Sequence, residues 1–197
     1  MKRIRTAVLI SGRGSNMMAL AEAAKALNFP AEIVLVVSNC RDAKGLEFAA
    51  ANGIATSVID HKSFAGRDAF EEALHAELEA NGIELVALAG FMRVLSPAFT
   101  AMWQGRILNI HPSLLPAYKG LHTHERALAD GATRHGCTVH FVSAELDAGE
   151  IILQAEVSVL ADDTADLLSA RVLNQEHRIY PQALEIVARQ LQAKIST

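Results

Sequence analysis

An alternation of short apolar runs with helical stretches in the first 110 residues constrains the fold more than any other feature of the sequence. The apolar runs are rich in β-branched residues and have few polar interruptions, which is typical of strands buried on both faces. These predicted strands cover residues 4–10, 31–37, 55–59, 85–89 and 107–110. Predicted helices cover residues 15–27, 43–52 and 67–81, and Gly53 and Gly82 follow the last two in the stop position. The pattern predicts an α/β fold with a parallel sheet covered by helices on both faces.

A different pattern follows residue 110. A polar segment punctuated by Pro and Gly leads to a short helix near His122, then to strands over residues 137–142 and 151–159, and a last helix begins near Thr164. Residues 143–150 are few enough for a turn between antiparallel neighbours, so we expect a mixed, mostly parallel sheet. No repeat, low-complexity segment or linker divides the sequence, and we expect one domain over residues 1–197.

Composition excludes several classes of protein. The 197 residues are 51% hydrophobic and 20% charged, as in an ordinary globular enzyme, and the formal net charge of -4 argues against non-specific nucleic-acid binding. Cys40 and Cys137 form no CxxC pair, so neither a disulfide framework nor a cysteine zinc site is indicated. The apolar run after the amino terminus is short and ends in a glycine turn, unlike a signal peptide. No apolar stretch reaches the roughly 20 residues of a membrane span, and we expect a cytoplasmic protein.

A glycine-containing loop, SGRGSN, follows the first predicted strand at residues 11–16. Gly12 and Gly14 permit a tight turn, and Ser15 and Asn16 add side-chain donors at the start of a helix, whose free N–H groups attract anions. The loop lacks the third glycine of the dinucleotide fingerprint and the Gly-Lys-Ser/Thr ending of the P-loop. It predicts a phosphate site of mononucleotide type, with an ordinary strand-to-helix turn as the alternative.

Two polar residues, Asn109 and His111, lie at the carboxyl end of a predicted strand, where open α/β sheets bind ligands. Alternate strand residues share a face, so both side chains can reach one region. An asparagine amide can stabilise a developing oxyanion and a histidine can transfer protons, which together suit acyl transfer. Asp147, in the turn motif ELDAG, could support a protonated His111. Backbone capping by Asn109 and His111, and ordinary Asp-Gly turn chemistry for Asp147, are the alternatives.

Other candidate sites have weaker support. His122, His124 and His135 lack the spacing of a zinc site and are better interpreted as polar loop lining. Ser15 lacks a GxSxG context and Cys137 has no identifiable partner, which disfavours a covalent hydrolase. Residues 90–97, GFMRVLSP, could form a slot for a flat ring, although core packing explains them better on their own.

Five ordered blocks of sequence carry a resemblance that covers nearly the whole chain. They read SGRGSN, AGFMRVLSP, LNIHPSLLPAYKGLHTHERAL, GCTVHFVSAELDAGEIILQ and RVLNQEHRIYP. Their order and separations resemble those of the folate-dependent glycinamide ribonucleotide formyltransferases. The resemblance implies a Rossmann-like formyltransferase fold and transfer of a formyl group from 10-formyltetrahydrofolate, the co-substrate, to the amino group of glycinamide ribonucleotide in purine biosynthesis.

The resemblance also assigns roles to particular residues. It makes Asn109, His111 and Asp147 the catalytic trio. It implies that the phosphate and ribonucleotide are bound by Gly12, Arg13, Gly14, Ser15, Asn16 and Glu176. It implies that folate is bound by Arg67, Met92, Arg93, Val94, Leu95, Asn109, His140, Ala144, Glu145 and Asp147. No metal is implied.

The chain departs from the family at two positions, and one of its segments resembles a mobile loop of the family. Arg13 stands where Asn or Thr is familiar in the family, and Leu173 stands where a Gln can assist phosphate binding. Residues 113–134 resemble the family's mobile loop, whose ordering over folate would exclude water. We further expect no nucleic-acid or membrane partner, and a monomer or weak homodimer.

Three rivals stay open at this point. Methionyl-tRNA formyltransferase would carry a further carboxyl-terminal domain and formyltetrahydrofolate deformylase an amino-terminal regulatory domain, and we expect neither here. A non-catalytic nucleotide-binding protein could use the same scaffold, because a fold alone does not establish activity.

Overall fold

The computed structural model describes residues 2–195, in which seven strands form one sheet. The strands are β1 (Ile4–Ile10), β2 (Ala31–Ser38), β3 (Ala55–Val58), β4 (Leu85–Leu88), β5 (Ile107–His111), β6 (Arg134–Phe141) and β7 (Ile151–Ser158). The helices are α1 (Ser15–Ala23), α2 (Gly45–Ala51), α3 (Arg67–Ala80), α4 (Pro97–Met102), α5 (Thr123–Ala129) and α6 (Ala165–Ile195), with a 3₁₀ turn at His61–Ser63.

The strand order is β3-β2-β1-β4-β5-β6-β7. Strands β1 to β5 pair in parallel, whereas β6 is antiparallel to both β5 and β7. The order reverses between β1 and β4, and open α/β sheets bind ligands beyond the carboxyl ends of the strands at such a switch point. The mixed, mostly parallel sheet predicted from the sequence is confirmed.

Helices cover both faces of the sheet, as predicted. On one face, Val8 of β1 packs with Leu20 of α1 and Tyr180 of α6. On the other face, Leu9, the next residue of β1, packs in a second cluster with Leu74 of α3. Because successive strand side chains point to opposite faces, a run of consecutive apolar residues is what a doubly covered strand needs.

Several boundaries differ from the sequence prediction. Helix α1 ends at Ala23 instead of residue 27, because the chain tightens there into i to i−3 hydrogen bonds such as Lys25 N–H to the Glu22 carbonyl (3.2 Å). Strand β6 begins at Arg134 instead of residue 137, since its pairing with β7 starts there. The short helix α4 and the 3₁₀ turn were not predicted, because they are too short to show a helical period.

Within the described part of the chain, no helix is both long and apolar enough to cross a membrane.

Candidate active site

The carboxyl ends of β4 and β5 and the turn between β6 and β7 enclose a cavity of about 640 Å³. A cavity of this size suits a small organic molecule. Nine of the ten residues expected to bind folate line it: Met92, Arg93, Val94, Leu95, Asn109, His140, Ala144, Glu145 and Asp147. The structure therefore joins an apolar wall, from the segment after β4, to a polar group at the end of β5.

Asn109 and His140 face each other across neighbouring strands. They are register partners in β5 and β6, and the Asn109 Nδ2 lies 3.3 Å from the His140 Nε2. The His140 Nδ1 donates to the Phe141 carbonyl at 2.8 Å, which leaves Nε2 as an acceptor. Burial lowers the pKa of His140, although the Phe141 carbonyl and the Asp147 carboxylate oppose this, so the ring is neutral near pH 7. The neutral ring holds the Asn109 amide with its N–H₂ group at the site.

His111, at the end of β5, lies between two acceptors. Its Nδ1 is 3.4 Å from an Asp147 carboxylate oxygen, and its Nε2 is 2.9 Å from the Tyr118 carbonyl oxygen. The Nε2 contact is a hydrogen bond, in which the ring donates to the carbonyl, and the Nδ1 contact is at ion-pair distance. The Asp147 carboxylate is thus placed as a counter-charge for any positive charge that forms on this ring.

The turn between β6 and β7 holds Asp147 in an uncommon conformation. The residue has a φ of +49°, and one of its carboxylate oxygens accepts the Gly120 N–H at 2.9 Å. At Gly149 a Cβ would lie 1.7 Å from the Phe141 carbonyl oxygen, so only glycine allows the chain to close there. Aspartate tolerates the left-handed region better than most residues, but such backbone is found where the surroundings enforce it. The turn is therefore built to aim Asp147 at the site.

The SGRGSN loop gives a second candidate binding region at the carboxyl end of β1. Gly14, with a φ of +71°, is the N-cap of α1, and no side chain caps this helix among the described residues. The N–H groups of the first turn are thus left for an anion. Gly45 presses against the loop, since its N–H donates to the Gly12 carbonyl at 3.1 Å and a Cβ at Gly45 would lie 2.6 Å from the Ile10 side chain.

A buried pair links this loop to the last helix. The Asn16 Nδ2 donates to a Glu176 carboxylate oxygen at 2.6 Å. Burial raises the pKa of Glu176, and the hydrogen bond from Asn16 opposes that shift. The Asn16 Oδ1 is buried with no partner among the described residues. An unsatisfied buried acceptor is rare in native structures, and a hydroxyl donor of a ligand would satisfy it.

The structure does not bring every expected residue together. Arg67 is exposed at the start of α3 and does not line the cavity. The phosphate-loop residues and Glu176 also lie outside its lining and form the second region. Sequence reasoning missed the Tyr118 carbonyl and the Gly120 N–H, since backbone groups leave no mark in the residue pattern. It also assigned no role to Ser11, although Ser11 is the first residue of the predicted loop.

Two of the histidines expected to line the loop, His124 and His135, contact each other. The His124 Nδ1 and the His135 Nε2 lie 3.1 Å apart, which is a hydrogen bond between rings. Across residues 2–195 no group of three or more His, Cys, Asp or Glu side chains is placed to hold a metal ion.

A doubly wound sheet with a glycine-containing loop at the amino end of α1, and an asparagine and a histidine at the end of β5 beside an aspartate, is an arrangement of α/β enzymes of the group-transfer class. A model of the formyl transferase family matches residues 4–184. The chain belongs to this family.

Individual relatives agree with that assignment. The phosphoribosylglycinamide formyltransferase of Escherichia coli (strain K12) is 51% identical over 174 residues, which are 88% of this chain and 82% of that protein. The human trifunctional purine biosynthetic protein adenosine-3 is 50% identical over 187 residues, which are 95% of this chain but only 18% of that protein. The crystal structure of phosphoribosylglycinamide formyltransferase from Brucella melitensis has a TM-score of 0.91 at 54% identity and covers 95% of this chain and 96% of its own.

Proposed function

We propose that this chain transfers the formyl group of 10-formyltetrahydrofolate to the amino group of glycinamide ribonucleotide, giving formylglycinamide ribonucleotide and tetrahydrofolate in de novo purine biosynthesis. The observation that carries the proposal is the convergence of Asn109, His111 and Asp147 at the polar end of one cavity. The names of the relatives point to the same reaction.

In the proposed reaction the substrate amine attacks the formyl carbon, and the bond from that carbon to the folate nitrogen breaks. The amine loses a proton and the folate nitrogen gains one, so the chain has to stabilise an oxyanion and move a proton. Asn109 donates one amide hydrogen to His140 and has a second for the oxyanion. Asp147 stabilises the positive charge of His111 while that ring transfers the proton.

The Tyr118 carbonyl has a direct bearing on this mechanism. Because Asp147 faces the Nδ1 of His111, the N–H at Nε2 is the one that a substrate oxygen can accept, and the Tyr118 carbonyl now accepts it. Binding of substrate then requires the segment around Tyr118 to shift. This supports the expectation that residues 113–134 form a mobile loop over the folate.

The two regions have different ligands in the proposal. The apolar wall Met92–Leu95 takes the flat pterin ring, and the exposed Arg93 attracts the acidic part of folate. The free N–H groups of α1 take the ribonucleotide phosphate, with Arg13 adding charge. Asn16 and Glu176 take hydroxyl groups of the ribose. The role of Arg67 in folate binding stays a prediction.

A two-substrate assay tests the proposal. Release of deformylated folate from 10-formyltetrahydrofolate is followed by absorbance with and without glycinamide ribonucleotide, and the product is weighed by mass spectrometry. We expect release only with the ribonucleotide, and a product heavier by one formyl group. Release without the ribonucleotide would instead identify a deformylase, and no release would favour a non-catalytic binding protein.

The remaining parts of the proposal concern the whole chain. We propose that residues 1–197 act as one catalytic domain without a metal, as a monomer or weak homodimer in the cytoplasm, and with no nucleic-acid or membrane partner. Activity that is unchanged after treatment with a chelator would support the metal-free reaction.

A further inference from the structure

Ser11 belongs to the loop of one candidate binding region and is hydrogen-bonded to the segment that forms the wall of the other. It is the residue after β1 and the first residue of the phosphate loop, residues 11–16. Its backbone N–H donates to the Gly90 carbonyl at 3.2 Å, and its hydroxyl oxygen accepts the Met92 N–H at 2.8 Å. Met92 belongs to the apolar wall of the cavity. One short side chain thus links the loop of one region to the wall of the other.

The hydrogen bonds around Ser11 have a single consistent direction. The Ser11 hydroxyl donates to the Asn39 Oδ1 at 2.5 Å, and the Asn39 Nδ2 lies 3.1 Å from the His61 Nδ1. The Ser11 proton therefore goes to Asn39, and an oxygen lone pair is free for the Met92 N–H. Asn39 is buried, so its position is fixed by the protein interior.

The place of Ser11 in the sheet explains why a side chain is needed. The ladder between β1 and β4 ends at Leu9 and Leu88, followed by the hydrogen bond from the Ala89 N–H to the Leu9 carbonyl. Beyond this point the two chains diverge, one into the phosphate loop and the other into the cavity wall. The two bonds of Ser11 continue the connection past the end of the ladder.

We propose that Ser11 is a positioning residue that couples the ribonucleotide site to the folate site. The proposal rests on the function proposed above. A ligand that orders the phosphate loop also orders Ser11, and through the Met92 N–H it orders the wall against which folate lies. When the second ligand binds, less conformational freedom of the protein remains to be lost. Its binding therefore costs less entropy, and each ligand strengthens the binding of the other.

Titration calorimetry with two ligands that cannot react together tests the coupling. The affinity for tetrahydrofolate is measured with and without saturating glycinamide ribonucleotide, in the unmodified protein and in Ser11→Ala. Couplings between sites are typically about 5-fold to 150-fold. We expect a ratio of affinities of at least about 5 in the unmodified protein and a ratio near one in Ser11→Ala, with a folate affinity that is several-fold weaker.

Two further variants separate coupling from general damage. Ser38→Ala removes a buried hydroxyl at the end of β2 that bonds only to the backbone of Cys40 in the described structure, and it should keep the full ratio. Ser11→Thr keeps the hydroxyl and should keep at least half of the ratio. Loss of coupling in Ser11→Thr as well as in Ser11→Ala would overturn the assignment to the hydroxyl.

The outcomes distinguish the two proposals. If the unmodified protein binds both ligands but neither affects the other, or if Ser11→Ala keeps the full ratio, the coupling is wrong and the proposed function stands. If the unmodified protein binds neither ligand, the proposed function itself is wrong.

Discussion

One carboxylate oxygen of Asp147, Oδ2, faces two partners. One is the ring of His111 at 3.4 Å, and the other is the Gly120 N–H at 2.9 Å. The first contact places a negative charge beside the imidazolium, whereas the second fixes the segment that follows Tyr118. Asparagine at this position would keep an oxygen for the Gly120 N–H and lose only the charge, so the substitution separates the two contacts.

For Asp147→Asn we expect kcat to fall by about 100-fold or more, since general acid–base catalysis typically contributes about 10² to 10⁴. Folate affinity should stay within about threefold of the original, as one hydrogen-bonding group replaces another. Steady-state kinetics and a folate titration check this, with the exposed Asp162→Asn as the matched control. Near-normal turnover in Asp147→Asn would remove this residue from the mechanism.

His140 makes a different contribution, through Asn109. His140→Phe would remove the acceptor at Nε2 and leave the Asn109 amide free to rotate. We expect kcat to fall by about tenfold or more, because an oxyanion donor that is not held in place loses part of its effect of about 10² to 10³. The same change should leave the affinity for the ribonucleotide unaltered, since Asn16 and Glu176 are untouched. A tenfold weaker ribonucleotide affinity with unchanged kcat would contradict this role.

The residues of the site differ in how far the sequence reveals them. Strand alternation and the position at a strand end indicate Asn109 and His111 as a pair, because residues two apart on a strand share one face. Asp147 looks like ordinary turn chemistry until its φ of +49° is known. His140 was found only through the family resemblance, since its partner Asn109 is distant in sequence and the pairing depends on the β5–β6 register.

At the scale of the elements, the contact between α3 and α4 fixes the end of the cavity wall. Glu71 of α3 is buried, and its carboxylate accepts both the backbone N–H of Ser96 at 2.7 Å and the Ser96 hydroxyl. Ser96 is the N-cap of α4 and its hydroxyl oxygen accepts the Phe99 N–H. The wall residues 92–95 end directly at this anchor. A carboxylate on one helix therefore sets where the wall meets the next helix.

Removing that carboxylate should loosen the wall. For Glu71→Ala we expect the free energy of unfolding to fall by about 1 to 3 kcal/mol, the effect of leaving a buried donor unsatisfied. KM for the folate should rise several-fold with little change in KM for the ribonucleotide. Urea unfolding and kinetics measure both, and Glu72→Ala, which changes the exposed neighbour on α3, is the control. Equal increases in both KM values would indicate general damage and not a specific effect on the wall.

The sequence pattern does not predict helix α4, and the reason is physical. Helix α4 has six residues, fewer than two turns, so its apolar positions cannot display a period. The signals that do mark it are Ser96 as the cap and Pro97 at the first helical position. Both lie in residues 90–97, which the sequence offers as a possible slot for a ring. The structure places the first part of this segment at the cavity and the last part at the start of a helix.

At the scale of the whole molecule, the sheet joins segments that are far apart in sequence. The loop after β1, the wall after β4 and the polar end of β5 meet because all three leave one edge of a parallel sheet. Strand β6 is antiparallel and ends beside the amino end of β5, where Phe141 pairs with Leu108, so the turn after β6 folds back to bring Asp147 to His111. The sequence predicts the class of this sheet from its apolar runs. It does not predict the strand order, which depends on how the runs pack together.

Several histidines in this assembly are buried, and this predicts how stability depends on pH. Burial lowers the pKa of His135 from 6.5 to about 4, and the neighbouring His124 adds to the effect. Burial lowers the pKa of His124, His140 and His177 too. The unfolded chain therefore binds more protons than the folded one between about pH 6.5 and pH 4, so the folded state loses stability as the pH falls through this window. Glu176, whose pKa is raised in the folded state, adds stability as the pH falls, but it is one group and the histidines are four.

We expect the free energy of unfolding to decrease from pH 7 to pH 4.5, with each proton contributing at most about 1.4 kcal/mol per pH unit. Urea unfolding at intervals of one pH unit measures the slope. His135→Gln removes the group with the largest shift of the four, so its slope should be shallower by up to one proton below pH 6 even if the variant is less stable at pH 7. His122→Gln, at an exposed position, is the control for the loss of a histidine side chain. Unfolding free energies that are equal at pH 7 and pH 4.5 would mean that these rings take up protons in the folded protein as readily as in the unfolded chain.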